Sequence, residues 1–174
     1  MDSAQLRQLI RDLPDYPAPG VTFRDITPLL ADAGGFSAAI DALAEPFIGA
    51  VDVVAGVEAR GFMFAAPVAH RLGVGFVPIR KPNKLPRATH CQSYELEYGT
   101  DVLEIHQDAI SAGARCLLID DVLATGGTAE AACSLIEKSG GDLVALSVLL
   151  ELDVLGGRAK LGERTVHAVM NYRS

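Results

Sequence analysis

The chain has 174 residues, enough for one domain with a real core and too few for two of ordinary size. With 49% hydrophobic and 21% charged residues, its composition is that of a soluble globular protein and not of a disordered chain. The net charge of −7 excludes general nucleic-acid binding, because no excess of Lys and Arg exists to displace counterions, yet local backbone groups can still hold a small anion. The longest strongly apolar runs, such as LVALSVLL, reach about eight residues against the roughly 20 of a spanning helix, so no membrane partner is expected. The start, MDSAQLRQLIRD, is charged throughout and has no apolar signal core. Three cysteines, Cys91, Cys116 and Cys133, lack zinc-like spacing and are odd in number, which points to a reduced, cytoplasmic setting.

In chain order, Leu6, Leu9, Ile10 and Leu13 fall at helical spacing and predict an amphipathic helix from Ser3 that Pro14 ends. The proline-rich PDYPAPGVTFRDITP predicts an extended, irregular cover, and a second helix is expected over about 35–45 with Phe36, Ile40 and Leu43 inward. VDVVAGV, GFMFAAPVAHRL and GFVPIR read as strand, helix and strand, one β-α-β unit. KPNKLPRATHCQ has neither period and reads as a long loop of the kind that closes over sites; SYELEYGTDVLEIH follows as a hairpin turning at Gly99-Thr100. Strand RCLLID, a helix over about 126–138, strand LVALSVLLE, a short helix near 154–161 and strand TVHAVMNY complete the chain. This alternation predicts an α/β fold with a mainly parallel, doubly wound sheet in a single domain, 1–174.

The strongest local signal is DDVLATGGT. Asp120 and Asp121 stand at the carboxyl end of an apolar strand, where open α/β sheets bind ligands. Gly126 and Gly127 permit a tight turn that converges backbone N–H groups, Thr125 and Thr128 add hydroxyls, and a helix N-terminus follows, an assembly suited to a phosphate monoester. An isolated Asp-Asp pair is commonly a turn or a cap, but beside a phosphate loop two carboxylates would repel the anion. Their sensible partners are sugar hydroxyls or a divalent cation. Neither a triphosphate-binding loop nor a dinucleotide fingerprint is present.

The string resembles the phosphoribosyl pyrophosphate motif of the type I phosphoribosyltransferases. PGVTFRDITPLL, EARGFMFAAPVA and RKPNKLPRATHCQSYELEYGTDVLEI, in the same order and spacing relative to it, resemble the adenine-specific branch of that family over nearly the whole chain. The resemblance implies the type I phosphoribosyltransferase fold, with residues 1–34 forming an N-terminal helix and a base-binding hood and 81–105 a flexible lid. It implies transfer of the 5-phosphoribosyl group from 5-phospho-α-D-ribose 1-diphosphate to adenine N9, giving AMP and pyrophosphate in purine salvage. Asp120 and Asp121 would take the ribose hydroxyls, and Ala124, Thr125, Gly126, Gly127 and Thr128 the 5-phosphate.

Glu58, Ala59 and Arg60 would form the pyrophosphate loop, with a cis peptide between Glu58 and Ala59, and Arg60 able to bind an anion through its fork. Some relatives carry Asp-Ser where this chain has Glu58-Ala59. Arg80, Lys81 and Lys84 concentrate positive charge at the root of the lid and, by the resemblance, approach the departing pyrophosphate. At the hood, Phe23 offers a stacking face, and the extended backbone at Val21 and Arg24 is expected to offer unpaired N–H and C=O groups to the adenine edge. The family sandwiches the purine between residues matching Phe23 and Val122.

An oxocarbenium-like transition state makes the leaving-group charge the chief problem. The implied cofactor is Mg2+, carried by substrate oxygens, with Asp120 and Asp121 its candidate protein ligands. The family's lid glutamate matches Glu97, beside Tyr98; acid/base chemistry alone leaves Glu95, Glu97 and Glu104 open. Arg60 and Glu97 are therefore the catalytic candidates. A homodimer is the family expectation. Two rivals remain: a 6-oxopurine or pyrimidine phosphoribosyltransferase, and a regulator with this fold that binds nucleic acid, against which the net charge stands.

Overall fold

The computed structural model describes residues 1–96 and 99–173. Helix α1 (Ser3–Arg7) is started by a capping box, in which the Asp2 carboxylate accepts from the Gln5 amide at 2.8 Å and the Gln5 side chain accepts from Asp2 N at 2.9 Å. It is shorter than its apolar spacing predicts. After a turn, Arg11–Leu13 form strand β1, which pairs antiparallel with β2 (Phe23–Asp25), so Leu13 belongs to a ribbon and not to the helix. Spacing of three to four residues cannot reveal that a partner strand lies ten residues downstream, and that partner decides the outcome.

The stretch predicted as irregular therefore contains β2 and also helix α2 (Thr27–Ala31), where Pro28 occupies the first turn, the place a helix tolerates it. Helix α3 (Ala33–Ala44) is capped by Asp32, whose carboxylate accepts from Gly35 N at 2.7 Å; it buries Ile40 and Leu43, and Phe36 packs against Phe64. Pro46 falls in a 3-10 turn, Glu45–Phe47, that ends the helix.

The β-α-β unit is as predicted: β3 (Val53–Val57), α4 (Arg60–Leu72) and β4 (Gly75–Ile79), with Gly73 in the left-handed conformation closing the helix. The long loop is shorter than expected. Strand β5 (Thr89–Glu95) already begins within it and pairs residue for residue with β6 (Thr100–His106), so His90, Cys91 and Gln92 lie in a strand. Leu96 N donates to Gly99 O at 2.9 Å and closes the hairpin. Arg80 and Glu104 exchange backbone hydrogen bonds of 2.9 and 2.7 Å, tying the hairpin's second strand to the chain just beyond β4. Strand β7 (Arg115–Leu123), helix α5 (Gly127–Lys138), strand β8 (Asp142–Leu152) and strand β9 (Val166–Tyr172) follow. The helix expected near 154–161 is two 3-10 turns, Asp153–Leu155 and Gly157–Leu161, because left-handed Gly156 breaks it.

The main sheet is parallel throughout in the order β4-β3-β7-β8-β9. Chain order reverses between β3 and β7, so their carboxyl ends flank the switch-point crevice of an open α/β sheet. One face packs Leu117, Ile119 and Val54 against α3 and α4 through Leu43, Phe64 and Val68. The other packs Leu118 and Leu146 against Leu135 and Ile136 of α5 and Leu103 and Ile105 of the hairpin. Among the described residues, no helix is long and apolar enough to cross a membrane.

Candidate functional site

The carboxyl ends of β3 and β7 surround a polar cavity of about 360 Å³. Its walls are the Glu58-Ala59 peptide, which is cis, Arg60 at the start of α4, Asp120 and Asp121 at the end of β7, and Ala124–Thr128 leading into α5; Lys81 and Tyr94 close it from the hairpin side. Gly126 has a φ of +85°, which only a residue without a Cβ adopts cheaply, and as the residue before α5 it has no side chain to cap the first amides. Those amides are therefore available to an anion in the cavity.

A second, apolar cavity of about 200 Å³ adjoins the first and shares Arg60, Asp121, Val122 and Ala124 with it. Its other walls are Val21, Thr22, Phe23 and Arg24 of the N-terminal segment and Leu150 and Leu152 of β8. The two meet at Arg60, whose Nε lies 2.9 Å from Asp121 Oδ2 and whose guanidinium stands 5.8 Å from the centre of the Phe23 ring.

Burial pushes both Asp120 and Asp121 above the ordinary carboxylate range; the neighbouring negative charge adds to this for Asp120, while Arg60 offsets part of it for Asp121. Asp121 N also donates to Asp120 Oδ1 at 2.9 Å. Among the described residues no cluster of three or more His, Cys, Asp or Glu side chains could hold a metal, and Asp120 and Asp121 are the adjacent hard oxygen donors in this cavity. That fits Mg2+, which keeps waters and substrate oxygens as its other ligands.

Of the expected cations, Arg80 and Lys81 meet carboxylates. Arg80 Nε binds Glu58 Oε2 at 2.6 Å, and Arg80 Nη1 donates to Lys84 O at 3.4 Å. Neither Arg80 nor Lys84 lines the cavity, and Lys84 is exposed. Lys81 forms an ion pair with Asp101 and donates to Tyr94 Oη at 2.8 Å; burial works against its charge, but these two partners outweigh burial and hold its pKa above the ordinary lysine value.

In the apolar cavity, the Arg24 guanidinium is taken up by Asp12 and by the Tyr172 ring, 4.4 Å away. The expectation of unpaired backbone at Val21 is corrected: Val21 N donates to Ala18 O at 3.1 Å and Val21 O accepts from Tyr16 N at 3.0 Å, because the loop folds back on itself. The Val21 carbonyl retains its second lone pair. Glu97 and Tyr98 lie outside the described residues.

Sequence reasoning missed several participants. Leu150 and Leu152 alternate along β8 in a run that reads as plain core, and only the strand order brings them to the cavity. Tyr94 looks like an ordinary strand residue until the hairpin folds over α5. Gly61 lets α4 approach β7: a Cβ there would stand 2.8 Å from Asp120 Oδ1 and 3.3 Å from Ile119 O.

A parallel sheet whose switch point holds a phosphate-type loop, an acid pair and a basic loop defines a phosphoribosyltransferase-like site. The family model for the phosphoribosyl transferase domain matches residues 25–167. The chain is 58% identical to the adenine phosphoribosyltransferase of Thermobifida fusca over 168 residues, 96% of each chain, and 53% identical to that of Chloroflexus aurantiacus over 99% of this chain and 100% of the other. The crystal structure of adenine phosphoribosyltransferase from Thermoanaerobacter pseudethanolicus superimposes with a TM-score of 0.94 at 48% identity, covering 98% and 99% of the two chains. The Saccharomyces cerevisiae enzyme, solved with an imino-altritol bisphosphate and adenine, gives 0.91 at 40% identity over 96% and 97%. The chain therefore belongs to the phosphoribosyltransferase family, in its adenine phosphoribosyltransferase branch.

Proposed function

We propose that this chain makes AMP and pyrophosphate from adenine and 5-phospho-α-D-ribose 1-diphosphate, using the two joined cavities as one substrate site. The observation that carries this reading is their junction: a polar, acid-paired cavity with an anion loop opens at Arg60 and Asp121 into an apolar slot of aromatic and aliphatic walls.

In the proposed arrangement the 5-phosphate sits on the amides of Gly126, Gly127 and Thr128 with the hydroxyls of Thr125 and Thr128, and Asp120 and Asp121 accept from the ribose hydroxyls. The purine lies between Phe23 and Val122, which places its edge against main chain. The Val21 carbonyl, through its second lone pair, takes the 6-amino group, and the main chain of Arg24 meets a ring nitrogen. The Arg24 side chain is engaged by Asp12 and Tyr172, so main-chain groups at Val21 and Arg24 are left to read the base edge, a pattern that suits adenine.

Bond cleavage leaves negative charge on pyrophosphate. Arg60, Lys81 and the cis Glu58-Ala59 loop face the cavity and would meet that charge there, with Arg80 and Lys84 approaching as the lid closes. When bound, Mg2+ would supply further neutralisation across the substrate oxygens, with Asp120 and Asp121 able to hold it directly or through water. Purine N9 then displaces pyrophosphate at the anomeric carbon, and Glu97 with Tyr98 is assigned to the closed lid, Glu97 moving a proton on the base. Closure of the hairpin would keep water from the activated sugar. A homodimer and a cytoplasmic location complete the reading.

A base panel tests it. Protein with Mg2+ and phosphoribosyl pyrophosphate should release pyrophosphate with adenine and not with hypoxanthine, guanine, xanthine, uracil or orotate. Turnover of another base would overturn the assignment of the apolar slot, and no turnover at all would favour the regulator.

A further inference from the structure

The proposed phosphate loop depends on a neighbour that neither cavity contains. The backbone of Gly126 lies against that of Gly157, in the second 3-10 turn after β8: a Cβ on Gly157 would stand 2.2 Å from the Ala124 carbonyl oxygen and 2.9 Å from Gly126 N, and one on Gly126 would stand 2.4 Å from Gly157 O. Two main chains meet here with no room for a methyl group on either. Whatever fixes Gly157 therefore fixes the floor of the loop.

Hydrophobic burial does not hold the start of this segment, since Val154 and Leu155 are 65% and 48% exposed. What holds it is Arg158. Glu151, in β8, is one of three buried polar residues among those described, only 4% exposed, and a carboxylate there is costly unless it is paired and hydrogen-bonded. Arg158 supplies both bonds: its Nε donates to Glu151 Oε1 at 2.8 Å and its Nη2 pairs with Glu151 Oε2, while its Nη1 donates to the Val166 carbonyl at 3.1 Å. One guanidinium thus joins β8, the first residue of β9 and the turn carrying Gly157. Gly156, with φ +64°, sets the bend before it, and Leu161, 1% exposed, anchors the far end. Along β8 the side chains alternate, so Leu150 and Leu152 face the apolar cavity and Glu151 points to the other side.

We infer that Glu151, Arg158 and Gly157 form a brace that positions the 5-phosphate loop, making them positioning residues for phosphoribosyl binding although none touches the ligand. An ion pair between a buried carboxylate and a half-exposed guanidinium adds little net stability, but its fork geometry fixes direction, which is what a loop converging several amides on one phosphate requires. The inference rests on the assignment of Ala124–Thr128 to the 5-phosphate, so the test separates the two.

Binding of ribose 5-phosphate is measured by calorimetry, and KM for phosphoribosyl pyrophosphate and for adenine by initial rates, for the unmodified protein, Arg158→Ala, Arg158→Lys and Gly157→Ala. Arg115→Ala is the control, breaking an Arg–Asp pair of similar form at the opposite end of the sheet. The expected result is a loss of roughly 10- to 100-fold in ribose 5-phosphate affinity and a matching rise in KM for phosphoribosyl pyrophosphate for Arg158→Ala and Gly157→Ala. KM for adenine should stay unchanged, Arg158→Lys should recover part of the loss, and Arg115→Ala should lower Tm without altering either constant. If Gly157→Ala does not fold, the two Arg158 variants decide. Variants that lose Tm yet bind ribose 5-phosphate as tightly as the unmodified protein overturn the brace alone. An unmodified protein that does not bind ribose 5-phosphate overturns the loop assignment and the brace with it.

Discussion

Arg60 is the hinge of the site at the scale of single residues. Its side chain is 46% exposed, yet it pairs with an Asp121 side chain that is only 6% exposed and stands between the anion cavity and the Phe23 ring. Together with Arg80–Glu58 and Lys81–Asp101, it belongs to a set of cations balanced by carboxylates before any substrate arrives. In the proposed reading, substrate binding is an exchange of partners rather than the capture of an anion by bare charge. Replacing Arg60 by lysine retains the charge and loses the fork. Arg60→Lys should lower kcat/KM for phosphoribosyl pyrophosphate on the order of 100-fold with little change in Tm, since an exposed guanidinium contributes little to stability. Steady-state kinetics beside a melting curve check this; unchanged kinetics would place Arg60 outside the reaction. Most of these residues were legible as letters, because Asp120, Asp121 and Thr125–Thr128 carry their chemistry in one contiguous string. Leu150, Leu152 and Gly157 were not, since nothing in an apolar strand or a glycine pair shows which loop will lie against it.

Strand β7 joins the two ends of the sheet, and its first residue is fixed as firmly as its last. Arg115 donates from Nε and Nη2 to the Asp52 carboxylate at 3.0 and 2.7 Å and from its backbone amide at 2.9 Å, locking the start of β7 to the residue before β3. Those hydrogen bonds, the side-chain ones first, hold the Asp52 carboxyl at about 2 against an ordinary value of 3.8. A carboxyl whose folded pKa is depressed contributes stability that is present above the unfolded value and lost as pH falls through the folded one. Arg115→Ala should therefore melt below the unmodified protein near neutral pH, with the gap narrowing as pH drops from 3.8 toward about 2. A gap independent of pH would show that the pair does not act through this charge. At this scale the β-α-β units were readable because their periodicity changes from two to 3.6 within a few residues. The end of α1 and the start of β5 were not: Arg11–Leu13 and Thr89–Gln92 become strands only because β2 and β6 arrive to pair with them.

Across the whole molecule, the strand order does what no single element can. With β3 and β7 adjacent at the centre, the basic end of α4 and the acid pair of β7 face each other across one crevice. The N-terminal ribbon reaches it from one side, and it and α1 are held to the last strand by Tyr172, whose ring lies 4.3 Å from the Arg7 guanidinium and 4.4 Å from that of Arg24. The hairpin reaches it from the other: a Cβ on Gly127 would stand 3.2 Å from Glu95 O, so the strand leading to the turn already rests on the anion loop. A parallel sheet follows from alternating strands and helices, but the order β4-β3-β7-β8-β9 depends on which crossovers pack best, and sequence pattern is silent on that. The most direct test of the account is a crystal structure with AMP bound. It should show the phosphate on the amides of Gly126–Thr128, the ribose hydroxyls on Asp120 and Asp121, and the purine between Phe23 and Val122. A phosphate seated instead among Arg80, Lys81 and Lys84, or a purine outside the slot walled by Phe23 and Leu150, would contradict it.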